Sequence, residues 1–199
     1  IKDCYFAWWV DPDLGCFIDD YVGCIPPPVN LMYCYNIDEQ DGSDGCSCTG
    51  GVNTYCDRIP MVGVDYFRGP LGHFNLRYDS LFNSDSLFIG IDTVYVPIAI
   101  NEEGDTTIEL GMTSFIYFIG SGEGSAGMKD PENATEYYRY LTGYWKDGTP
   151  ITKGGSGYNL GSTDTAKYVF PDAPNDPLGW SCRQENLPSA DRRTVQATG

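Results

Sequence analysis

Carboxylates and glycines are concentrated in one segment near the start of the chain, residues 11–24, which reads DPDLGCFIDDYVGC. Four of its residues are aspartates and two are glycines. Ca²⁺ takes about six to eight oxygen ligands, which closely spaced carboxylates and turn carbonyls supply without histidine or thiolate. The segment therefore predicts a calcium site. The alternative interpretation is an acidic turn exposed to solvent.

A second acidic stretch follows, with the spacing Asp38-x-x-Asp41-x-x-Asp44. Gly42 and Gly45 lie beside its aspartates and permit tight turns around an ion. This stretch is a weaker calcium candidate, because an exposed acidic loop explains the same pattern.

The chain has eight cysteines, and seven of them lie within the first 56 residues. This even number and density predict disulfide bonds formed in an oxidising compartment. A structural zinc site is the alternative, but the cysteines lack the paired spacing of zinc ribbons and His73 is the only histidine. The connectivity stays open, although Cys46 and Cys48 should bond to different partners because one intervening residue makes a strained ring. The predicted half-cystines are Cys4, Cys16, Cys24, Cys34, Cys46, Cys48, Cys56 and Cys182.

The charge balance excludes several classes of partner. The chain of 199 residues has 28 Asp and Glu against 12 Lys and Arg, a formal net charge of −16. It lacks the basic surface that nucleic acid or an anionic membrane requires. The longest apolar run, residues 94–100, contains Pro97 and is far shorter than the roughly 20 residues of a membrane span. We expect no nucleic-acid partner and no direct membrane insertion.

The sequence gives little support to catalysis. A single histidine excludes a zinc-binding His pair, no Gly-x-Ser-x-Gly motif occurs, and the glycine-rich run 120–127 lacks the Lys-Ser/Thr ending of a phosphate loop. A pair of carboxylates could still hydrolyse glycosides, but no feature selects a pair among the 28 acidic residues. We therefore expect a protein that is not an enzyme.

Short β-type runs alternate with Gly, Pro, Asn and Asp clusters along the whole chain. This pattern predicts an all-β fold, mainly an antiparallel sandwich of jelly-roll or immunoglobulin-like type, with long structured loops. We interpret residues 1–199 as one β-rich module, in which the N-terminal segment 1–60 is disulfide-rich and binds calcium. The predicted strands are 4–10, 29–36, 62–67, 87–91, 94–100, 106–110, 113–119, 166–170 and 194–197.

One short helix is predicted over residues 131–142. Asp130 is a suitable N-cap, Pro131 suits the first turn and Gly143 suits the C-terminal end. Aromatic and leucine side chains recur at helical spacing on one face, which favours packing against the core. These residues are Tyr137, Tyr140, Leu141 and Tyr144.

Blocks of sequence along nearly the whole chain resemble a recurrent module of very large secreted surface proteins of Bacteroidota, which are exported by the type IX route. The module is associated with gliding and cell-surface assemblies. After Cys24 the chain departs from that pattern, because Ile25 and three prolines replace an acidic residue. The matching blocks are 11–24, 35–36, 60–70, 111–115, 143–150, 167–174, 179–180 and 191–199.

The resemblance implies an exported, non-catalytic β-rich module within a longer multidomain protein at the cell surface. Its expected partners are neighbouring domains or subunits of a surface assembly. The resemblance also implies a buried ion pair between Arg192 or Arg193 and one of the calcium-binding carboxylates, which would anchor the last strand. The ligands that it implies are Asp11, Asp13, Asp19 and Asp20, a backbone carbonyl of Leu14 or Gly15, and Asp65 as an outside ligand.

Surface proteins of Bacteroidota carry O-glycans on Asp-Ser or Asp-Thr followed by an apolar residue or Thr. The chain contains five such triplets, four of them between residues 79 and 107. If the resemblance holds, their hydroxyl residues are acceptor candidates, whereas the alternative is that they are ordinary turn pairs. The candidates are Ser80, Ser86, Thr93, Thr106 and Thr165.

The leading hypothesis is a secreted structural or adhesive module that disulfides and calcium make rigid. A carbohydrate-binding module is the second hypothesis, with glycans stacking on Tyr144, Trp145 or Trp180. A glycoside hydrolase with a carboxylate pair is the third.

Overall fold

The computed structural model describes residues 5–43, 45–65, 110–120 and 124–198 with their side chains, and between 71 and 109 it describes only the backbones of strands. The described chain is mostly β with one short α-helix, so the predicted all-β class is confirmed. No helix among these residues is long and apolar enough to cross a membrane. The strands are β1 (Phe6–Val10), β2 (Asp20–Ile25), β3 (Leu31–Asn36), β4 (Met61–Asp65), β5 (Leu71–Asn75), β6 (Phe82–Asn83), β7 (Ser86–Ile89), β8 (Asp92–Thr93), β9 (Ala99–Ile100), β10 (Asp105–Glu109), β11 (Ser114–Ile119) and β12 (Arg192–Thr198).

The first sheet joins the two most distant regions of the described chain. Its strand order is β1-β12-β11, and both pairs are antiparallel. Val10 at the end of β1 lies opposite Thr194, and Ile119 at the end of β11 lies opposite Arg192. The end of β1, the end of β11 and the beginning of β12 therefore meet at one edge of this sheet.

The second sheet is the antiparallel meander β2-β3-β4. Every residue of β3 after Leu31 is buried, as are the residues of β2 before Ile25. Tyr21 and Tyr35 lie opposite each other, and their rings contact edge to face with centroids 5.9 Å apart. Both sheets contribute to the same hydrophobic core, which contains Val22 and Met32 from this sheet and Phe115 and Val195 from the first sheet.

Two further antiparallel sheets are formed by strand backbones between residues 71 and 109. Their orders are β5-β10-β9 and β6-β7-β8. Residues 94–98, which belong to the predicted strand 94–100, lie outside the described regions of the chain.

The helix α1 (Ala134–Leu141) is shorter than predicted and has a different cap. Asn133, rather than Asp130, is the N-cap, and its side chain accepts the backbone N–H of Glu136. The C-terminal end is confirmed: Gly143 has φ +75°, and Tyr144 donates its backbone N–H to the Arg139 carbonyl in a Schellman arrangement. Asp130 instead forms an ion pair with Arg193.

The region after α1 contains no regular strand until β12. Its aromatic side chains fill the core instead: Trp145 packs edge to face on Tyr117 with centroids 5.6 Å apart, and Phe170 lies 5.8 Å from Trp180. The predicted strand 166–170 is wrong, because Tyr168 makes only an isolated bridge to Phe115. Strand β2 was not predicted, because its acidic beginning resembled a loop.

Candidate metal centre

Strand pairing brings two distant aspartates to one edge of the first sheet. Asp11 follows β1 and Asp191 precedes β12, and these strands are antiparallel with Val10 opposite Thr194. Asp13 lies two residues beyond Asp11 in a loop that turns back, since the Asp13 N–H donates to the Asp11 carbonyl at 3.1 Å. The loop and the sheet edge thus place three carboxylates together.

The carboxylates of Asp11, Asp13 and Asp191 form the acidic cluster, with one oxygen atom of each within 4.8 Å of the others. Asp11 and Asp13 are exposed, whereas Asp191 is buried. A fourth carboxylate, Asp130, lines the same open cavity of about 300 Å³. The four groups come from three separate regions of the sequence.

Arg193 lies among these carboxylates and forms an ion pair with three of them. Its Nε donates to Asp11 at 2.9 Å, one terminal nitrogen donates to Asp130 at 3.0 Å, and the other donates to Asp191 at 3.2 Å. The predicted ion pair between a β12 arginine and a carboxylate of residues 11–19, the acidic loop between β1 and β2, is confirmed for Arg193 and Asp11. Its predicted burial is wrong, because one third of the Arg193 side chain and nearly half of the Asp11 side chain are exposed.

Gly120 makes the close approach of these groups sterically feasible. A Cβ atom at this position would lie 2.5 Å from a carboxylate oxygen of Asp191 and 2.6 Å from the guanidinium carbon of Arg193. The Gly120 backbone also pairs with this segment, because its N–H donates to the Asp191 carbonyl at 3.0 Å. Any larger residue here would push the ion pair apart.

The electrostatics of the cluster favour an added cation. Partial burial raises the pKa of Asp13, and the nearby charges of Asp11 and Asp191 raise it further, although Arg193 opposes them. Burial lowers the pKa of Arg193, but the carboxylates outweigh this effect and its pKa is raised. With all groups ionised, the four carboxylates and one guanidinium of the cavity carry a net charge of −3. A divalent cation would reduce this repulsion.

The chemistry of the donor set is that of a hard cation. All donors of the cluster are carboxylate oxygens, which suit Ca²⁺, Mg²⁺ or Mn²⁺ rather than metals that prefer thiolate or imidazole. Asp13 has no ion pair among the described residues, in contrast to Asp11 and Asp191. The arrangement could therefore hold a metal ion, and Asp13 is the carboxylate of the cluster that forms no ion pair with Arg193.

The structure does not bring the other predicted ligands of the loop into this cluster. Asp20 is buried and accepts the Leu14 backbone N–H at 2.8 Å. Asp19 accepts the Gly42 N–H at 2.6 Å. Asp20 thus connects the beginning of β2 to the loop at Leu14, and Asp19 connects its own segment to the loop at Gly42. The second carboxylate oxygen of each is buried and has no hydrogen-bond partner among the described residues.

Burial is the main cause of the raised pKa values of Asp19 and Asp20. It raises the pKa of Asp20 from 3.8 to about 8, and the charges of Asp19, Asp41 and Asp13 add to the effect against the Leu14 hydrogen bond. Burial also raises the pKa of Asp19. Asp20 is therefore largely protonated at neutral pH.

Asp41, which belongs to the second predicted stretch, also accepts backbone N–H groups with its carboxylate. It is fully buried, and its two oxygens accept the N–H groups of Cys16, at 2.7 Å, and Tyr55. Gly15, with φ +77°, allows the contact, since a Cβ there would lie 2.0 Å from an Asp41 oxygen. Asp41 thus connects the acidic loop to residues 37–60, the cysteine-rich loop between β3 and β4.

The remaining predicted ligands lie apart from the cluster. Asp38 is exposed and accepts the Gln40 N–H at 2.8 Å, which is a local turn contact. Asp65 is exposed at the end of β4, opposite Leu31. Asp44 lies outside the described residues.

Two disulfides confirm four of the predicted half-cystines. Cys16 bonds to Cys48 and Cys46 bonds to Cys56, so Cys46 and Cys48 have different partners, as expected. The first bond joins the acidic loop to the cysteine-rich loop, and the second closes a smaller ring within that loop. Together with Asp41 they hold these two loops against each other.

The disulfide prediction is wrong for three other cysteines. Cys24, Cys34 and Cys182 are buried thiols without a disulfide. Cys24 donates to the Val169 carbonyl at 3.5 Å and Cys34 to the Pro12 carbonyl at 3.4 Å, and burial raises the pKa of both thiols. They pack as small apolar side chains of the core. Cys4 lies outside the described residues.

The proposed aromatic platform is wrong for both tryptophans. Trp145 is fully buried and donates its indole N–H to the Gly157 carbonyl, and Trp180 is buried and donates to the Gly155 carbonyl. Tyr144 alone of the three is exposed.

The glycosylation candidates remain predictions. Thr165 is exposed. Ser80 lies outside the described residues. Ser86, Thr93 and Thr106 lie in β7, β8 and β10, of which only the backbone is described.

Sequence reasoning did not select Asp130 or Asp191 as members of the cluster. For Asp191 a signal existed, since its position before two arginines predicted an ion pair with the acidic loop. For Asp130 no signal existed, because its place near Arg193 depends on how the segment before α1 packs.

The chain was compared with protein-family models, curated proteins and solved structures, and none of them matches it. The class of the protein therefore rests on its own fold and site. It is a β-rich, disulfide-bonded protein with a carboxylate cluster that could bind a metal ion.

Proposed function

We propose that this chain is a non-catalytic extracellular module with a structural or adhesive role, in which calcium and disulfides hold the first and last strands and the N-terminal loops together. The observation that carries the proposal is the cluster of Asp11, Asp13 and Asp191 at the edge where β1 meets β12. An ion bound there would connect segments that are 178 residues apart or more in sequence.

Calcium is the proposed ion because the cluster is open and has only oxygen donors. Ca²⁺ accepts irregular coordination completed by water, whereas Mg²⁺ demands a near-octahedral arrangement and dehydrates reluctantly. The expected role of Arg193 is to hold Asp11, Asp130 and Asp191 in place when the ion is absent.

The extracellular location is supported by the two disulfides, which form and persist in oxidising compartments. The resemblance to type IX-exported Bacteroidota modules adds the cell surface as the expected location. It also adds neighbouring domains or subunits of a surface assembly as the expected partners.

The two alternative functions have weaker support. A carbohydrate-binding platform cannot use Trp145 or Trp180, because both side chains are buried in the core. Arg193 forms ion pairs with Asp11 and Asp191 of the cluster, which does not resemble a glycosidase pair, in which two acids face each other across a substrate cleft.

The test is calcium binding by the natively purified protein, measured by titration calorimetry and thermal unfolding after removal of divalent ions. At a calcium concentration about 100 times the Kd, the native state should gain about 2.7 kcal/mol. Asp13→Asn should abolish this gain while the fold remains, because Asp13 has no ion pair to lose among the described residues. Asp65→Asn is the matched control, because Asp65 is exposed at the end of β4 and outside the cluster. Identical melting with calcium and with chelator would overturn the proposal.

A further inference from the structure

The acidic cluster already contains a positive charge that belongs to the protein. Its three carboxylates carry a charge of −3 when ionised, and the guanidinium of Arg193 reduces this charge to −2. The Nε of Arg193 donates to Asp11 at 2.9 Å, and a terminal nitrogen donates to Asp191 at 3.2 Å. Two of the three proposed calcium ligands are therefore paired with a cation of the chain itself.

A calcium ion and this guanidinium would draw on the same two carboxylates. Ca²⁺ lies about 2.3–2.6 Å from its ligand oxygens, and its affinity for a site depends on how many charged ligands the site offers. Two positive charges held by the same carboxylates repel each other. Asp13 is the one clustered carboxylate that forms no ion pair among the described residues. Binding of the ion therefore opposes the contacts of Arg193 with Asp11 and Asp191.

Asp130 offers the guanidinium a partner that the ion does not use. Both of its carboxylate oxygens accept one terminal nitrogen of Arg193, at 3.0 and 3.3 Å, but Asp130 is not one of the three clustered carboxylates. One third of the Arg193 side chain and nearly half of the Asp130 side chain are exposed, so the guanidinium can turn toward Asp130 without unpacking the core. Arg193 can therefore keep one ion pair when an ion takes the other two carboxylates.

We propose, building on the calcium site of the proposed function, that Arg193 is an internal competitor of calcium: the ion displaces its guanidinium from Asp11 and Asp191, and Asp130 retains it. Each carboxylate that Arg193 contacts then has a cationic partner both with and without the ion. The cluster is ready for the ion only in the fraction of molecules whose guanidinium has moved away, and the apparent affinity is reduced by that fraction. Arg193 thus sets the calcium concentration at which the site fills.

The test is calorimetric titration of the natively purified chain with calcium, after removal of divalent ions and at one low ionic strength. Arg193→Gln removes the competing charge and keeps a polar side chain, so its calcium affinity should rise at least about fivefold. Asp65→Asn should leave the affinity unchanged, because Asp65 lies outside the cluster at the end of β4.

A second variant tests the role of Asp130. Asp130→Asn should lower the calcium affinity roughly two- to fivefold, because the displaced guanidinium loses the partner that retains it. The same substitution made together with Arg193→Gln should have little effect, because no guanidinium remains to be retained. A general effect of one lost negative charge would instead be equal in both backgrounds.

NMR of the unmodified protein gives a readout that does not depend on how the variants fold. The side-chain Nε–H signal of Arg193 should shift as calcium is added, because its hydrogen bond to Asp11 is lost, and the midpoint should agree with the calorimetric titration. The Nε–H of Arg192 is the internal control, since this residue is 4% exposed and neighbouring side chains of a strand point to opposite faces.

The outcomes separate this proposal from the calcium site itself. Calcium binding by the wild-type chain with equal or lower affinity in Arg193→Gln would overturn the competition and leave the proposed site standing. Binding by Arg193→Gln alone would support the competition in its strongest form. Absence of binding in both proteins would overturn the site and the competition together. An Arg193 signal that stays in place at saturating calcium would overturn the displacement.

Discussion

Replacing Asp41 with alanine should strongly destabilise the acidic loop and the cysteine-rich loop, which this residue connects. Asp41 is fully buried, and its carboxylate accepts the N–H groups of Cys16 and Tyr55. The alanine side chain offers no acceptor for either amide. The Cys16 amide would be left buried without a partner, and the partly buried Tyr55 amide would lose its partner as well.

The expected loss follows from the number of orphaned donors. Each buried group left without a hydrogen bond costs about 1–3 kcal/mol, so the two amides together predict a loss of about 2–6 kcal/mol. This is a large fraction of the total stability of a typical domain, about 5–15 kcal/mol. Asp38→Ala is the control, because Asp38 is exposed and accepts one local N–H, and it should change stability by less than about 1 kcal/mol.

The assay is urea unfolding of both variants, with chelator and with calcium. The loss for Asp41→Ala should be the same in both conditions, since its oxygens bind amides rather than an ion. A loss below about 1 kcal/mol would show that the amides find other partners and would refute the reasoning. A loss seen only with calcium would instead identify Asp41 as a metal ligand.

Three further predictions concern other regions of the fold. Replacing Cys16 and Cys48 with serine removes a disulfide with a sequence separation of 32 residues and should cost roughly 3–4 kcal/mol in urea unfolding; an unchanged midpoint would argue against this bond. Because burial raises the pKa of Asp20 to about 8 from 3.8, the native state retains a proton that the unfolded chain has lost, so stability should fall as pH rises from about 4 to about 8. Urea midpoints measured in chelator across this range should flatten in Asp20→Asn, and a wild-type midpoint that rises over the same range would contradict the assignment. Trp145→Ala should cost about 3–5 kcal/mol in thermal or urea unfolding because the indole is fully buried, whereas exposed Tyr144→Ala should stay within about 0.5 kcal/mol; equal effects would contradict the packing.

Local chemistry explains which elements of the fold could be predicted from sequence. Gly143 ends α1 as expected because a left-handed residue there depends on neighbours within one turn. The N-cap was misassigned because Asp130 and Asn133 are both suitable by residue type, and Arg193 engages Asp130 from a distant strand. Burial of Trp145 was not predictable, because it lies in irregular chain whose packing is set by distant residues.

The site was predicted only partly for the same reason. Asp11 and Asp13 could be selected as members of the cluster because they are close in sequence and followed by a turn residue. Asp191 joins them only through the pairing of β1 with β12. Asp19 and Asp20 have the right residue type, but the loops present backbone N–H groups to them, and no sequence pattern shows which acceptor a folded loop will use.

The pairing of β1 with β12 also determines how this protein would respond to mechanical load. Phe6 lies opposite Thr198, so a force that separates these two positions opens the ladder from that end, one hydrogen-bonded pair after another, as a zipper does. Opening would reach Asp11 and Arg193 last, at the far end of the pair. The contacts of the acidic cluster would then be the last to break, and a calcium ion bound there would raise the force needed to detach β1.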